Sequence, residues 1–163
     1  ESVDWNITTS YPTLVDGSNG PAKLLIDSDP KTFMSLRKPG KNEIPAGTES
    51  YFTIDMGEEN TFDYIEWYHR GGDTQLGLRA WAIVVYGSND GTTFTKIGND
   101  INIPGETDRT IMNATLSLPE STWRYLKIEF TRWDKVNNSA IQVGEFKLGY
   151  SKTQTGKGVG VVL

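Results

Sequence analysis

Two aspartates lie two residues apart in the segment 24–35, LLIDSDPKTFMS, and a threonine follows three residues after the second one. Closely spaced carboxylates on a tight loop, together with backbone carbonyls, can supply the roughly six to eight oxygen ligands that Ca²⁺ prefers. The candidate ligands are Asp27, Asp29 and the hydroxyl of Thr32. Glu145, near the predicted last strand, is a distant fourth candidate.

Two other interpretations of this segment stay open. In the first, Asp27 and Asp29 only form Asx turns around Pro30. In the second they are a catalytic pair, but glycosidase carboxylates lie about 5–9.5 Å apart across a cleft and one of them has a raised pKa. Two aspartates on one tight loop do not obviously span a sugar, so this interpretation is disfavoured. An EF-hand is excluded, because Lys31 occupies its third acidic position.

Alternation of apolar and polar residues with a period of two recurs along the chain and predicts the strands that position these side chains. The alternating segments are 51–56, 62–69, 110–118, 124–130 and 143–150. Segment 79–88 is nearly all apolar, which predicts a central strand covered on both faces.

Turn-forming residues separate these segments at 55–60, 87–94 and 103–108. Asp90-Gly91 favours a tight hairpin. The only helical candidate is 20–26, where Pro21 can begin a single turn. About eight short strands with almost no helical periodicity predict an all-β fold, an antiparallel β-sandwich or jelly roll. We expect one domain over residues 1–150 and a linker or tail over 151–163.

Three polar segments at 36–50, 69–79 and 131–139 are predicted loops, and sandwich loops commonly carry recognition. Neutral sugars need an aromatic surface and planar hydrogen-bonding groups. Trp133 is the candidate platform, with a lid packed on the sandwich as its alternative. His69 and Arg70 are candidate hydrogen-bond donors, although a lone histidine is more often structural. Weaker candidates, for which a solvated loop is the default interpretation, are Arg37, Lys38, Arg79, Asn137 and Asn138.

Composition excludes several classes of function. The chain has 163 residues, no cysteine, one histidine and a net charge of −5. The absence of cysteine excludes disulfides, thiolate zinc sites and a cysteine nucleophile. The acidic balance argues against nucleic acid and anionic lipid as partners. No apolar run approaches the roughly 20 residues that cross a bilayer. Without a nucleophile motif, a phosphate loop or a zinc motif, nothing predicts an enzyme.

An ordered set of segments resembles the discoidin family, also called the coagulation factor five/eight C-terminal type, over about residues 4–150. The segments are DWNITTS, AKLLIDSDPKTFMS, ESYFTIDMG, YHR, IVVYGSNDGTTFTKI, WRYLKIEF and VGEFKLGY. Within this galactose-binding-like group, the chain is most similar to family 32 carbohydrate-binding modules of bacterial surface proteins. It departs from the family at Ser28, where the usual pattern is Asp-Gly-Asp. The disulfide that joins the ends of animal members cannot form, which favours a bacterial source.

The resemblance implies a non-catalytic module that binds glycan at the loop end. It also implies a structural calcium ion, with a carbonyl near Leu24 or Leu25 as a further ligand. The expected location is extracellular or at the cell surface, on the bacterial outer surface or in the periplasm. We expect a monomeric domain that touches membrane only through an anchor on the parent chain. The alternative is an adhesion module for protein or lipid, in which Leu36 and Ile44 flank basic residues.

Overall fold

The computed structural model describes residues 4–41, 43–72 and 75–152. These ranges contain eight strands: β1 (Asn6–Thr9), β2 (Met34–Arg37), β3 (Ser50–Tyr68), β4 (Ala80–Ser88), β5 (Thr95–Asn102), β6 (Asn113–Trp133), β7 (Ala140–Val143) and β8 (Glu145–Gly149). Two short 3₁₀ helices, Ala22–Ile26 and Leu76–Leu78, interrupt the connections. No helix in these ranges is long and apolar enough to cross a bilayer. Most of the predicted tail, from residue 153, lies outside the described residues.

Two pairs of predicted strands are joined into single long strands. Segments 51–56 and 62–69 both belong to β3, and segments 110–118 and 124–130 fall largely within β6. The pairing of β3 with β6 shifts register between Asp55 and Asn60. Gly57 has a φ of 79° in this stretch, a conformation that glycine adopts without strain. The predicted turn at 55–60 is therefore wrong, because the chain bends there without leaving the sheet.

The bend divides β3 between two layers. Its first half pairs with β1 and with the second half of β6, from which the sheet continues through β4 to β5. Its second half, Tyr64–Tyr68, pairs with β8 on one side and with the first half of β6 on the other. Strands β2 and β7 form a separate pair, and all these pairings are antiparallel.

Four aromatic rings lie where the two layers face each other. Phe52, on the first half of β3, lies 5.8 Å from Phe146 of β8 in an edge-to-face arrangement. Trp67, on the second half of β3, lies 6.2 Å from Phe130 of β6. All four side chains are buried, and such contacts add to the stabilisation that comes from burial. The predicted all-β antiparallel sandwich is confirmed.

Several local predictions also hold. Strand β4 is buried along most of its length between β6 and β5. A turn at Asp90-Gly91 joins β4 to β5, and the Asp90 carboxylate accepts hydrogen bonds from the backbone N–H groups of Thr92 and Thr93 at 2.8 Å. The predicted helical turn begins directly after Pro21 and buries Leu25.

Candidate functional site

A buried lysine ties the predicted loop segments together at one end of the sandwich. Lys38 follows β2, and its Nζ donates to the carbonyl oxygens of Gly77 at 2.7 Å, Asp134 at 2.7 Å and Asn137 at 2.8 Å. The residue is 0% exposed, and burial lowers the pKa of the ammonium to about 8. The interpretation of Lys38 as a solvated loop residue is wrong, because three carbonyls replace its water.

The sequence contains a signal for this burial. Met34, Leu36 and Lys38 alternate along β2 and its continuation, and all three are buried. A period of two places them on one face, so Lys38 lies on the inward side of the strand. The basic character of the segment LRKPGK obscures this pattern.

His69 and Arg79 hold the neighbouring loop from inside. Nε2 of His69 lies 2.8 Å from the carbonyl oxygen of Pro104. Arg79 is also buried, and its guanidinium donates to the carbonyls of Gly105, Asp108 and Arg109 at 2.8–3.2 Å. His69 is 1% exposed, and burial lowers the pKa of its imidazole to about 4. A ligand at the surface cannot reach His69, so the structure gives this side chain a structural role.

Arg70 is half-buried and contacts neighbouring side chains. Its guanidinium carbon lies 4.0 Å from the centroid of the Phe33 ring, and Nη1 donates to Oε1 of Gln142 at 3.0 Å. The crevice beside it, which Gln75 and Leu78 also line, measures only about 10 Å³. Such a volume holds about one water molecule, not a sugar ring.

Arg37 and Asn137 also make contacts within the protein. Nε of the half-buried Arg37 donates to the carbonyl of Pro12 at 2.7 Å. The exposed Asn137 donates from its side-chain amide to Oδ2 of Asp134 at 3.0 Å. Asp134 also accepts backbone N–H groups from Asn137 and Val136, and these bonds lower the pKa of its carboxyl group to about 2. Asp134 therefore shapes this loop, a role that was not predicted from the sequence.

Trp133 lines an open concavity of about 490 Å³, which we call the Trp133 hollow. The hollow lies between the end of β6 and the segment that follows β2, and its lining residues are Pro39, Gly40, 46–49, Glu129, Phe130, Thr131, Trp133 and Lys135. It thus joins segments 36–50 and 131–139, while none of the described residues in 69–79 lines it.

The indole of Trp133 is half-buried and packs against the core. Its Nε1 is enclosed and has no hydrogen-bond partner within the described residues. The ammonium of Lys135 lies 5.6 Å from the ring centroid. This arrangement holds the ring in place at the wall of the hollow.

Polar side chains complete the wall. Glu49 and Lys135 are exposed, while Glu129, Thr48 and Thr131 are half-buried. The hydroxyl of Tyr86 donates to Oε1 of Glu129 at 3.1 Å. Burial, followed by this bond, raises the pKa of the Tyr86 phenol. The Thr131 hydroxyl is enclosed in the wall. The hollow therefore offers an aromatic surface, two carboxylates, the Thr48 hydroxyl and an amine, which together can bind a polyhydroxylated ligand.

The 27–32 bend contains both predicted Asx turns. The Asp27 carboxylate accepts the backbone N–H of Asp29 at 3.0 Å, and the Asp29 carboxylate accepts that of Lys31 at 3.0 Å. The Thr32 hydroxyl lies within hydrogen-bonding distance of the Asp27 carboxylate and the Asp29 carbonyl, which share its single hydrogen. Ser28 has a φ of 67°, a left-handed conformation that favours the glycine of the family pattern.

Glu145 faces this bend from the start of β8. The residue is 2% exposed, Oε2 accepts the Ser28 N–H at 3.1 Å, and Oε1 has no hydrogen-bond partner within the described residues. Burial, and to a smaller extent the nearby Asp27 carboxylate, raise the pKa of Glu145 to about 8. A cation between the two carboxylates would give Oε1 a partner and offset their repulsion. Asp27 and Glu145 therefore fit a calcium ion.

The described residues contain no group of three or more His, Cys, Asp or Glu side chains close enough to hold a metal. Any ion at the bend would consequently draw its other ligands from carbonyl and hydroxyl oxygens, which Ca²⁺ accepts readily. Leu24 lies in the 3₁₀ helix that ends just before the bend, so its carbonyl stays a candidate by its position in the chain.

The apolar loop tip that lipid binding would use is absent from segment 36–44 as far as it is described. Leu36 and Ile44 are both buried. Side chains packed in this way cannot insert into a bilayer. The observation that favoured lipid binding by an adhesion module is therefore removed.

The sequence matches the model of the F5/8 type C domain over residues 6–145, and the chain belongs to this family. No curated protein sequence matches it significantly.

Solved structures show the same fold. The C-terminal domain of a chitobiase from Bacteroides fragilis is 23% identical, with a TM-score of 0.70, and the match covers 94% of this chain and 97% of that one. A CBM32 domain from Clostridium perfringens, in complex with GalNAc-β-1,3-galactose, is 17% identical with a TM-score of 0.69 and coverages of 88% and 94%. The CBM32 domain of AlyQ, in complex with 4,5-unsaturated mannuronic acid, is 18% identical with a TM-score of 0.61 and coverages of 90% and 95%.

Proposed function

We propose that this domain is a non-catalytic carbohydrate-binding module of a bacterial extracellular or surface protein, and that it binds glycan in the Trp133 hollow. The observation that carries the proposal is the hollow itself, which combines a fixed indole with two carboxylates and the Thr48 hydroxyl in about 490 Å³. This volume lies within the range of about 300–1,000 Å³ that is typical of small-ligand sites.

The chemistry of the hollow suits a sugar. The apolar C–H face of a pyranose can stack on an aromatic ring, and Trp133 provides one at the wall. Sugar hydroxyls can donate to the carboxylates of Glu49 and Glu129, which only accept hydrogen bonds when ionised. Bonds to charged acceptors are stronger than neutral ones, so these two residues would fix the orientation of the ring.

Structural neighbours and the contacts within this chain both support a role in binding rather than catalysis. Two of the structural neighbours are CBM32 domains in complex with saccharides. In this chain the single histidine is buried against Pro104. The Asp27 and Asp29 carboxylates bond to their own loop instead of facing each other across a cleft. A binding role is therefore the better explanation of the hollow.

A glycan array followed by calorimetric titration tests the proposal. The probes are galactose-type and glucose-type oligosaccharides, added to the intact domain. We expect at least one of them to bind with a dissociation constant in the micromolar to millimolar range. Absence of binding at millimolar ligand, with the circular dichroism of a folded β-protein, would count decisively against the proposal.

The structural role of calcium is a second part of the proposal. Asp27 and Glu145, with the Thr32 hydroxyl and a carbonyl near Leu24, would hold the ion, and Asp29 would stabilise the bend through Lys31. The ion supplies a positive charge that binds the bend to β8. An ion that binds only the folded state raises its stability. We expect millimolar CaCl₂ to raise the melting temperature and chelator to lower it.

A variant locates the ion. Glu145→Gln removes one carboxylate charge with little change in shape, so it should abolish the effect of CaCl₂ on the melting temperature. The control Glu58→Gln changes an exposed carboxylate on the β3 bend and should leave the effect intact. If calcium does not change the melting temperature of the unmodified chain, the proposed structural calcium ion is contradicted.

A further inference from the structure

The Trp133 hollow continues into a second concavity. A hollow of about 280 Å³ is lined by Ser10, Tyr11, Thr48, Glu49 and Tyr51. Thr48 and Glu49 also line the Trp133 hollow, so the two concavities meet at these residues. We call the combined depression the sheet-face groove.

Strand register sets the length of this groove. Tyr51 of β3 is the direct partner of Glu129 of β6, and such partners lie about 4.5–5.5 Å apart. Trp133 lies four residues further along β6, about 13 Å from Glu129 at roughly 3.3 Å per residue. The groove therefore has an indole at one end and the tyrosines at the other, separated by more than the width of one sugar ring.

The side chains between these ends are polar, and most can bind hydroxyl groups. Thr48 and Ser10 provide hydroxyls, and Glu49 and Glu129 provide carboxylates. Among the described residues that line the two hollows, Lys135 is the one cation. The groove thus consists of hydroxyls and carboxylates between two aromatic ends, a pattern that suits a ligand with many hydroxyls and alternating apolar faces.

Lys127, next to the groove, makes cation–π contacts with three aromatic rings. The ammonium of Lys127 lies 4.7 Å from the ring centroid of Tyr86, 5.1 Å from that of Tyr51 and 5.3 Å from that of Phe94. These contacts fix the Tyr51 ring and direct the charge to the aromatic faces. The charged groups along the middle of the groove are then Glu49 and Glu129, so a chain of anionic sugars would meet like charges there.

We propose that the sheet-face groove binds several consecutive sugars of an uncharged glycan chain, rather than one terminal sugar in the Trp133 hollow. This inference rests on the proposed function and extends it along the sheet. Both ends of the groove carry rings, so Trp133 takes one sugar and Tyr51 with Tyr11 takes another. The residues between them bind the hydroxyls of the intervening chain.

A length series tests the inference. Mono-, di-, tetra- and hexasaccharides of β-1,4-linked glucose, galactose and N-acetylglucosamine are titrated calorimetrically into the unmodified domain. In the series that binds, we expect affinity to rise at least about tenfold from the monosaccharide to the hexasaccharide. Saturated oligomannuronate of the same length should bind at least about tenfold more weakly than the neutral hexasaccharide.

Variants assign the gain in affinity to the groove. Tyr51→Ala should reduce the ratio of hexasaccharide to monosaccharide affinity several-fold, and Tyr11→Ala, which leaves the Lys127 cluster intact, should also reduce it. The matched control is Tyr68→Ala, because Tyr68 lies on the same strand and also has a lysine over its ring, Lys147 at 5.5 Å. This control should leave the ratio unchanged.

The outcomes separate the two proposals. If the monosaccharide binds as tightly as the hexasaccharide, or if neither tyrosine variant changes the ratio, the groove is overturned while the Trp133 hollow stands. If oligomannuronate binds more tightly than the neutral chain, the uncharged ligand class is overturned. If no saccharide binds the folded domain, the proposed function fails and the groove fails with it.

Discussion

Two neighbouring regions of the sandwich both contain charged side chains, but one region is filled and the other is open. Around Lys38, a buried ammonium binds three backbone carbonyls, and the crevice beside Arg70 measures only about 10 Å³. In the Trp133 hollow, an indole and two carboxylates surround about 490 Å³ of open space. The first region is filled by contacts within the protein, and the second is open to a ligand.

The difference shows that polar residues near a loop end do not by themselves make a binding site. At the Lys38 end the hydrogen-bonding groups already have partners within the chain, so a ligand there would have to displace them. At the Trp133 hollow, Glu49 and Lys135 are exposed, so a ligand can reach their charged groups from the solvent. The free-energy cost of binding is smaller where fewer polar groups must be desolvated.

The largest effect should follow from removing the Lys38 ammonium. Lys38→Met keeps much of the side-chain volume but leaves three carbonyls without their donor. Hydrogen bonds to charged groups contribute about 1.5–3 kcal/mol each, in part offset by the cost of burying the charge, so we expect a loss of about 2–4 kcal/mol. Urea denaturation measures the loss. Lys41→Met removes a single bond to the Val136 carbonyl at 2.9 Å and should cost less than about 1 kcal/mol. Equal losses in the two variants would contradict the account.

The next effect concerns pH and the buried His69. A carbonyl oxygen only accepts, so Nε2 carries the hydrogen and the enclosed Nδ1 is unprotonated, without a partner in the described residues. The folded pKa of about 4 lies below the ordinary value of 6.5. The unfolded state therefore binds more protons between these values, and the stability present above pH 6.5 is lost as pH falls toward 4.

A shift of this size corresponds to about 3 kcal/mol. His69→Gln can still donate to Pro104 but does not titrate. The loss of unfolding free energy between pH 6.5 and the acidic end of the transition should therefore be smaller in the variant by roughly that amount. If the unfolding free energies of the two proteins changed with pH in parallel, His69 would not be the group that causes the loss of stability in acid.

A smaller effect is expected on glycan affinity, which should depend on the Trp133 hollow and not on the region around Arg70. Trp133→Ala removes the platform and should weaken binding by at least about tenfold, or about 1.4 kcal/mol. Arg70→Ala, in the filled region, should change affinity by less than about twofold, even though it removes the contacts with Phe33 and Gln142. Calorimetric titration with the best-binding saccharide measures both. The reverse order of effects would move the site back to the loop end around Arg70.

The smallest effects are expected at the exposed loop residues. Asn137 contributes its backbone carbonyl to Lys38, and a substitution keeps that carbonyl. Asn137→Ala should therefore leave affinity within about twofold and cost less than about 1 kcal/mol of stability. Asp134→Ala removes the acceptor of two backbone N–H groups and should cost more in the same denaturation experiment. Arg37→Ala should resemble Asn137→Ala in affinity. A larger loss of stability in Asn137→Ala than in Asp134→Ala would be inconsistent with these roles.

Much of the fold could be predicted from the sequence because period-two alternation depends on local positions. This alternation indicated segments of β3, β6 and β8. The apolar segment 79–88 indicated β4, Asp90-Gly91 indicated the β4–β5 hairpin, and Pro21 indicated the short helix. The turn-forming residues around Gly57 predict a break, while the chain in fact bends within β3. Whether such residues end a strand or bend it depends on the strands beside them, here β1, β6 and β8.

The site was predictable only in part. Trp133 stands between Arg132 and Asp134, a position that favours an incompletely enclosed ring, and the structure places the half-buried indole at a hollow. The burial of His69 and Arg79 could not be predicted in the same way, because their partners lie 26 to 35 residues away in the 104–109 loop. The calcium ligands and the ligand-binding residues stay predictions.

Whether glycan binds in the Trp133 hollow is tested most directly by a nitrogen–proton correlation spectrum of the domain, recorded during titration with the saccharide that binds best. If glycan occupies the Trp133 hollow, the backbone amides of residues 46–49 and 131–135 and the Trp133 indole N–H should shift progressively to saturation. The amides around Arg70 and Lys38 should move little. Shifts concentrated at residues 69–79, with a stationary Trp133 signal, would contradict the claim.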